Sequence, residues 1–186
     1  DLVVREGLWY EKFTDVPCTG GINEGLEKGL FEKGKRSGEW IVFFENGQLK
    51  EKGHYDWGIK QGYWVSYSKV GYLESRGIFN NGIKDGSWTI RESWRGYGVG
   101  TFVNGKKDGV WEHYWDSTLS GLMLREHFVK GIRHGPFQNY WEDGQQKAIG
   151  QFKNGEKSGY WIFHDSDGSV YQPWTGTFVN GVKVSD

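Results

Sequence analysis

The sequence predicts an all-β fold, an elongated antiparallel array of stacked β-hairpins with little or no helix. Two observations carry this prediction. A segment of about 24 residues recurs along most of the chain with glycines at fixed places. The composition is rich in glycine, with 30 residues, and in aromatic residues, at 17%, but it includes a single alanine, Ala148. A chain so poor in alanine is unsuited to substantial helix.

Residues 29–52 show the repeat in its clearest form, and we number its positions from the opening residue, position 0. The copies begin at Gly29, Gly53, Gly77, Gly100, Glu126, Gly150 and Gly176. Position 2 is aromatic in all seven copies: Phe31, Tyr55, Phe79, Phe102, Phe128, Phe152 and Phe178. Position 5 is glycine in all seven: Gly34, Gly58, Gly82, Gly105, Gly131, Gly155 and Gly181. The six complete copies have a second glycine at position 9 and an aromatic residue at position 11, which is Trp40, Trp64, Trp88, Trp111, Phe137 or Trp161.

Each copy is predicted to form strand, turn, strand, turn. The paired glycines supply the positive φ angles of a tight first turn, and the segments between turns are aromatic and β-branched. A second turn is predicted at Glu45, Asn46 and Gly47, with counterparts around Gly71, Gly144 and Gly168. If the first turn is centred between positions 6 and 7, the aromatic residue at position 2 lies opposite the tryptophan at position 11.

The ends of the array and two of its copies depart from this pattern. Residues 1–28 are predicted to cap the stack with a strand at residues 9–13, a turn at residues 15–17 and a half-repeat. Residues 29–186 then hold six complete repeats and one partial repeat in one continuous domain. The third copy loses its pattern after Trp88, and the fifth replaces its glycine and tryptophan with Glu126 and Phe137.

The repeat resembles the bacterial variant of the MORN repeat, with the pattern G-x-F-x-x-G-K-x-x-G-x-W-x-x-Y-x-x-N-G-x-L. Over about residues 5 to 183, including the leader from Gly7 to Tyr10 and from Pro17 to Gly20, the chain resembles the YwqK-like antitoxin family. The resemblance implies a stacked hairpin array that is used as a binding surface. It also implies a toxin as the partner.

Composition and motifs disfavour several other functions. A net charge of −1 and a pI near 6.6 disfavour a general nucleic-acid binder. No motif for catalysis, phosphate binding or metal binding is found, and the five histidines, His54, His113, His127, His134 and His164, occupy different repeat positions.

Asp165 to Gly168 begins like a calcium loop but lacks the distal glutamate, so a turn is predicted there. Cys18 is the only cysteine and is expected to pack as a small apolar residue. No enzyme activity, metal or cofactor is therefore expected.

One repeat position carries the same charge in every copy. Position 7, placed inside the predicted first turn, is basic throughout: Arg36, Lys60, Lys84, Lys107, Arg133, Lys157 and Lys183. First turns of a meander share one edge of the sheet, so these position-7 cations are expected to line a basic edge at a spacing of about 10 Å. Two interpretations stay open: a solvated rim that protects the sheet from aggregation, or a stripe that steers a partner.

Several aromatic residues fall outside the conserved repeat positions and are candidate contacts for a partner. They are Trp57, Tyr72, Trp94, Trp115 and Trp141. Trp57 stands at position 4, where six copies have lysine or asparagine, and it is therefore expected to be exposed. For Trp94, Trp115 and Trp141 the alternative is that they cover the aromatic layer of the sheet itself.

The sequence thus predicts a non-catalytic protein-binding module, of which the most concrete form is an antitoxin or immunity-type protein that masks a toxin. The alternative is a membrane-associated scaffold whose basic edge contacts anionic lipid. The bacterial cytoplasm fits either interpretation, and the cell envelope fits if a signal peptide preceded Asp1.

Overall fold

The computed structural model describes residues 2–12, 14–92 and 96–186, and these residues confirm the all-β prediction. They form seventeen β-strands and no helix, so no candidate for a membrane-spanning helix occurs among them. The first two strands, β1 (Leu2–Arg5) and β2 (Leu8–Glu11), pair with each other as a separate hairpin. The remaining strands follow chain order in one antiparallel sheet of fifteen, as a series of successive hairpins requires.

The chain divides into two compact units, residues 1–85 and residues 86–186. Besides β1 and β2, the first unit contains β3 (Gly20–Glu24), β4 (Glu27–Glu32), β5 (Lys35–Phe43), β6 (Leu49–Asp56), β7 (Ile59–Tyr67) and β8 (Leu73–Asn80). The strand β9 (Ile83–Arg91) begins at the end of that unit. The second unit continues with β10 (Tyr97–Val103), β11 (Lys106–Tyr114), β12 (Leu122–Val129), β13 (Ile132–Tyr140), β14 (Gln146–Lys153), β15 (Glu156–Phe163), β16 (Gly176–Val179) and β17 (Val182–Ser185).

The first turn of each copy lies two residues earlier than predicted. Its central residues are positions 4 and 5, and both have positive φ, as in Asn81 at 50° and Gly82 at 77°. This is the signature of a type I′ turn, whose twist matches that of the flanking strands. The predicted cross-strand partners were therefore wrong. The aromatic Phe31 pairs with Arg36, and Trp40 pairs with Gly53 of the next copy.

The glycine at position 9 lies in a β-bulge and not in the turn. Gly38 has a φ of 68° and lies where the register between β4 and β5 shifts. The shift turns the following tryptophan over position 0 of its own copy. A Cβ on Gly53 would lie 2.2 Å from Cδ2 of Trp64, and equivalent clashes occur at Gly29, Gly100 and Gly150. Glycine is therefore needed at position 0 because the indole ring occupies the space of a side chain.

Tryptophan rings and position-2 aromatics alternate to form the core of the first unit. Phe31 meets Trp40 edge-on at 4.9 Å between ring centroids, and Tyr55 meets Trp64 in the same way. The indole N–H groups of Trp40 and Trp64 are satisfied locally: Nε1 of Trp40 donates to the carbonyl oxygen of Leu30, and Nε1 of Trp64 to that of His54, both at 3.1 Å. Trp9 of β2 packs against Phe31 with a centroid distance of 5.5 Å and so caps this stack.

Adjacent first turns are joined by backbone hydrogen bonds. The N–H at position 5 donates to the carbonyl at position 7 of the preceding copy, as from Gly82 to Lys60 at 2.9 Å. In several copies the N–H at position 4 donates to a side chain at position 8 of the preceding copy. Examples are Asn81 to Oε1 of Gln61 and Lys130 to Oδ2 of Asp108. The turns are consequently held in a rigid stack within each unit.

The second turns lie where they were predicted. In the loop from Glu45 to Gly47, the N–H of Phe44 donates to the carbonyl of Gln48, and Gly47 has a φ of 80°. This is a three-residue hairpin loop closed by a left-handed glycine. Gly71, Gly144 and Gly168 take the same conformation in their loops, so Asp165 to Gly168 is a turn as expected.

Candidate functional site

The position-7 cations lie in the strands and not inside the first turn, so the predicted placement was wrong. The turn occupies positions 4 and 5, so position 7 lies directly opposite position 2 on the neighbouring strand. Both side chains therefore face the aromatic core. In the first unit, Arg36 lies 4.5 Å from the ring centroid of Trp40, and Lys60 lies 3.9 Å from that of Trp64. Both are only partly exposed and carry carboxylate partners, Glu27 and Glu51 respectively. These cations cover the indole rings through cation–π contacts.

The second unit repeats this arrangement with different partners. Lys107 lies 4.1 Å from the Trp111 ring centroid and pairs with Glu92, while Arg133 pairs with Glu126. Lys157 lies over three aromatic rings, and burial lowers its pKa below the ordinary value for lysine. Lys183 pairs with Asp186. Lys84, the position-7 cation of the third copy, belongs to the end of the first unit and is partly buried in β9.

The predicted partner-binding aromatics differ in their exposure and in their place within each unit. In the first unit Trp57 and Tyr72 are exposed by 46% and 58%, but they lie in turns at opposite ends of the strand β7 that joins them. In the second unit Trp115 is 38% exposed. Trp141 is half-buried beneath Lys147, whose Nζ lies 3.9 Å from the ring centroid. Trp94 lies outside the described residues.

Trp57 borders a pocket in the first unit and has an unusual backbone. Its φ is 48°, in the left-handed region that large L residues avoid. The pocket, of about 380 Å³, is lined by Trp57 together with Trp9, Tyr55, Lys35 and Arg36, among others. The Nζ of Lys35 lies 5.6 Å from the Trp57 ring centroid. An exposed aromatic side chain beside a basic pocket is typical of a protein contact site.

Three other exposed aromatic residues were not predicted from the sequence. Tyr63 and Tyr160 stand at position 10, on the sheet face opposite the tryptophans, and Trp174 precedes β16. Position 10 neighbours the tryptophan of position 11, and strand alternation would have placed the two side chains on opposite faces. That signal was present in the sequence.

A cluster of charged groups around the buried pair of His113 and Glu126 interrupts the aromatic core of the second unit. His113 of β11 is almost fully buried, and its Nδ1 lies 2.6 Å from Oε2 of Glu92. Its Nε2 lies 3.0 Å from Oε1 of the equally buried Glu126, although the N–H is not directed at that oxygen well enough for a hydrogen bond. Lys107 contacts the other oxygen of Glu92, and Arg133 that of Glu126. The five groups form one continuous chain of charge contacts.

The geometry favours a doubly protonated His113. Each ring nitrogen lies within 3.0 Å of a carboxylate oxygen, and a neutral imidazole would turn one lone pair toward a negative charge. Burial alone lowers the pKa of His113, but the contacts with Glu126 and Glu92 outweigh burial and raise it. Burial likewise opposes ionisation of Glu92, yet the hydrogen bonds from His113 and Lys107 lower its pKa to about 2. The pKa of Glu126 is lowered against burial by His113 and Arg133.

These shifts predict a bell-shaped dependence of stability on pH. A raised pKa in the folded state means that the contribution of His113 is complete below its unfolded pKa of about 6.5 and is lost as the pH rises through the folded value. The lowered pKa of Glu92 gives a contribution that is present above about pH 4.3 and is lost as the pH falls toward 2. We therefore expect the urea midpoint to be highest between about pH 4.5 and 6.5. The variant His113→Gln should lose the decline on the alkaline side; an identical alkaline decline in that variant would contradict the assignment.

The cluster forms the polar wall of a pocket of about 430 Å³. Apolar side chains of Tyr97, Met123, Leu124 and Phe128 form most of the remaining wall. Gly98 makes room for the cluster, because a Cβ there would lie 2.9 Å from Oε1 of Glu92. The sequence contained a signal for this site: Glu126 replaces the glycine of position 0, and Phe137 replaces the tryptophan that would have covered it.

Comparison with known proteins adds no assignment: no family model matches this chain, and no curated protein matches it either.

Proposed function

We propose that this chain is a non-catalytic protein-binding repeat module in which Trp57 anchors the partner. The observation that carries the proposal is the conformation of Trp57, an exposed tryptophan held at a positive φ. Four of the other copies place asparagine and two place lysine at this position of the turn. Asparagine tolerates the left-handed region, whereas a bulky residue there is strained by about 1–2 kcal/mol. A tryptophan that the turn does not need is best explained by a contact outside the chain.

The surroundings of Trp57 suit recognition of another protein. The stacked turns hold the backbone at Gly58 through a 2.8 Å hydrogen bond to the carbonyl of Arg36, so the anchor is presented by a preorganised frame. The adjoining pocket offers aromatic surface from Trp9 and Tyr55 and positive charge from Lys35. These features favour a partner segment that presents an apolar side chain next to a carboxylate.

The more specific form of this proposal is an antitoxin or immunity-type protein that masks a toxin by covering its working surface. It is supported by the resemblance to the YwqK-like antitoxin family and by the rigid stack of turns. Coexpression with a small toxic protein encoded by a neighbouring gene tests it, because neutralisation should restore growth and the Trp57→Asn variant should fail to do so.

The alternative of a lipid-binding scaffold has less support. It relied on a row of free position-7 cations at the sheet edge, whereas Arg36, Lys60, Lys107 and Arg133 are paired with carboxylates. The paired carboxylates offset much of the positive charge that such a row would present to a flat layer of lipid phosphates.

The variant Trp57→Asn separates binding from folding. Because asparagine suits a type I′ turn, we expect the free energy of unfolding to be unchanged or to rise by about 0.5–1 kcal/mol. Binding of a protein partner isolated from native lysate should weaken by about 2 kcal/mol, roughly thirtyfold in Kd. Isothermal titration calorimetry with the purified partner measures the change.

The matched control for this experiment is Tyr160→Ser. Tyr160 is exposed by 56%, slightly more than Trp57, but it lies in β15 of the second unit and outside the Trp57 pocket. It should leave binding intact. Equal binding by native protein and Trp57→Asn would rule out the proposed anchor.

A further inference from the structure

The pocket beside His113 has the features of a ligand site and not of a sheet core. Three consecutive copies each contribute one unusual residue to it: Glu92 at position 15 of the third, His113 at position 13 of the fourth and Glu126 at position 0 of the fifth. Buried charges in place of aromatic contacts destabilise a fold unless every group is satisfied. Such groups gathered at a pocket mark a candidate functional site.

The polar groups of this site are not all satisfied within the protein. The Nε2 of the buried His113 has no aligned acceptor in the described part of the chain, and His113 lines the pocket. Arg133 uses Nε to contact Glu126, and its two terminal nitrogens have no hydrogen-bond partner among the described residues. The Nζ of Lys107 makes a single hydrogen bond, to Glu92, among the described residues. Donors therefore remain available on Arg133 and Lys107, and the N–H at Nε2 of His113 is only poorly aligned with its neighbouring carboxylate.

The charge of the site selects the sign of the ligand. With His113 protonated, the cations of His113, Lys107 and Arg133 face the two carboxylates of Glu92 and Glu126, which leaves one net positive charge. Guanidinium groups bind carboxylates in a planar, two-point fashion, and the free end of Arg133 offers that fork. A cationic ligand would meet net repulsion here.

The remaining walls of the pocket determine the chemistry of the uncharged part of the ligand. Met123, Leu124, Phe128 and Tyr97 give the pocket an apolar interior, and its volume of about 430 Å³ falls in the range of small-molecule sites. We propose that this pocket binds a carboxylate attached to a short apolar group, with the carboxylate at Arg133 and Lys107 and the apolar group against Leu124 and Phe128. This site is independent of the Trp57 anchor, because all its residues belong to the second unit.

The test is a titration with three related probes, followed by isothermal calorimetry and by the imidazole ¹⁵N resonances of His113. The probes are 3-phenylpropanoate, its uncharged amide 3-phenylpropanamide, and acetate, which lacks the apolar group. Saturable binding of 3-phenylpropanoate, at least tenfold tighter than that of either other probe, is expected, together with a shift of the His113 resonances. Absence of binding, or equal affinity for the amide, would overturn the proposal.

The same carboxylate chemistry occurs at the C-terminal residue of a polypeptide, so a further titration uses N-acetyl-glycyl-phenylalanine. Tighter binding of this peptide than of 3-phenylpropanoate identifies a chain terminus as the source of the ligand. The reverse order identifies a free acid. Either result supports the carboxylate site, since both ligands present the same two groups.

Two variants and one control locate the binding. Arg133→Gln should weaken binding of 3-phenylpropanoate at least tenfold, and Leu124→Trp, which fills the pocket without changing its charge, should abolish it. The control is Arg125→Gln: Arg125 has almost the same exposure as Arg133, pairs with Glu112 and does not line the pocket. Native affinity in Leu124→Trp, or equal losses in both arginine variants, would show that binding occurs elsewhere.

Discussion

Replacing Gly53 with valine is expected to lower the free energy of unfolding by about 3 kcal/mol or more, because the new side chain and the Trp64 ring require the same space. A Cβ on Gly53 would lie 2.2 Å from Cδ2 and 2.3 Å from Cε2 of that ring. Trp64 is almost fully buried and cannot move without exposing its indole and breaking its hydrogen bond to His54. Overpacking a core costs about 1–3 kcal/mol, and loss of a buried tryptophan about 3–5 kcal/mol.

Gly21 provides the matched control for this substitution. It also lies in a strand of the first unit and has no left-handed backbone, but the nearest atom to its Cβ would be 3.9 Å away. Gly21→Ala should change the urea midpoint little, whereas Gly53→Ala should lower it clearly. In a Trp64→Leu background the penalty of Gly53→Ala should shrink by at least 1 kcal/mol, the scale expected for residues in contact. Equal penalties in both backgrounds would contradict the ring-over-glycine arrangement.

Truncation of Glu126 should have the second large effect. Glu126→Ala leaves His113 and Arg133 without their shared carboxylate inside the second unit. Removal of one partner from a buried ion pair costs about 3–5 kcal/mol, because the remaining charge stays desolvated. Urea unfolding near pH 6 measures the loss, and a change below about 0.5 kcal/mol, the scale of ordinary surface substitutions, would show that the cluster is not energetically coupled.

A variant that restores the repeat pattern tests the cause of this loss. His113→Val, Glu126→Gly and Phe137→Trp together replace the buried charges with the valine, glycine and tryptophan found in the first copy. Replacing a buried ionic group with well-packed apolar residues is often neutral or stabilising by about 1–4 kcal/mol. We expect the triple variant to match or exceed the native stability and to lose binding of 3-phenylpropanoate. Such an outcome would identify the cluster as a feature kept for binding at the expense of stability.

The strands and the positive φ angles of both glycines were predicted correctly from the sequence, but the register of the hairpins was predicted wrongly. Glycines at positions 5 and 9 were both expected to have positive φ, and both do. A glycine at position 5 or at position 9 is compatible with a turn, and the first turn was predicted to lie between the two glycines. Four copies nevertheless contain asparagine followed by glycine at positions 4 and 5, as in Asn81 and Gly82. That dipeptide is the preferred centre of a type I′ turn, so the correct register was available from the sequence.

The charged cluster could not be assembled without that register. Glu126 and His113 lie thirteen residues apart, and they approach each other because Trp111 pairs with Glu126 and His113 with Leu124 across β11 and β12. The register of the first turn then brings Arg133 to this pair, because Arg133 lies opposite Phe128 across β12 and β13, and an error of two residues there would move Arg133 away. The replacement of glycine by Glu126 was interpreted as a loss of the repeat pattern in the fifth copy. A single replacement does not indicate which distant residue the new side chain will contact. The missing information was which residues of β11 lie opposite which residues of β12.

The hydrogen bonds and packing around the first turns also determine how many residues must be added to lengthen the array. The tryptophan and the glycine beneath it belong to one copy, whereas the bond from position 5 to position 7 joins one copy to the one before. Duplicating or deleting a whole copy within a unit therefore preserves every contact type, while an insertion of any other length between positions 0 and 11 separates a ring from its glycine. Evolution and protein engineering can lengthen this array by whole repeats, and each added repeat supplies one new position-4 residue to display.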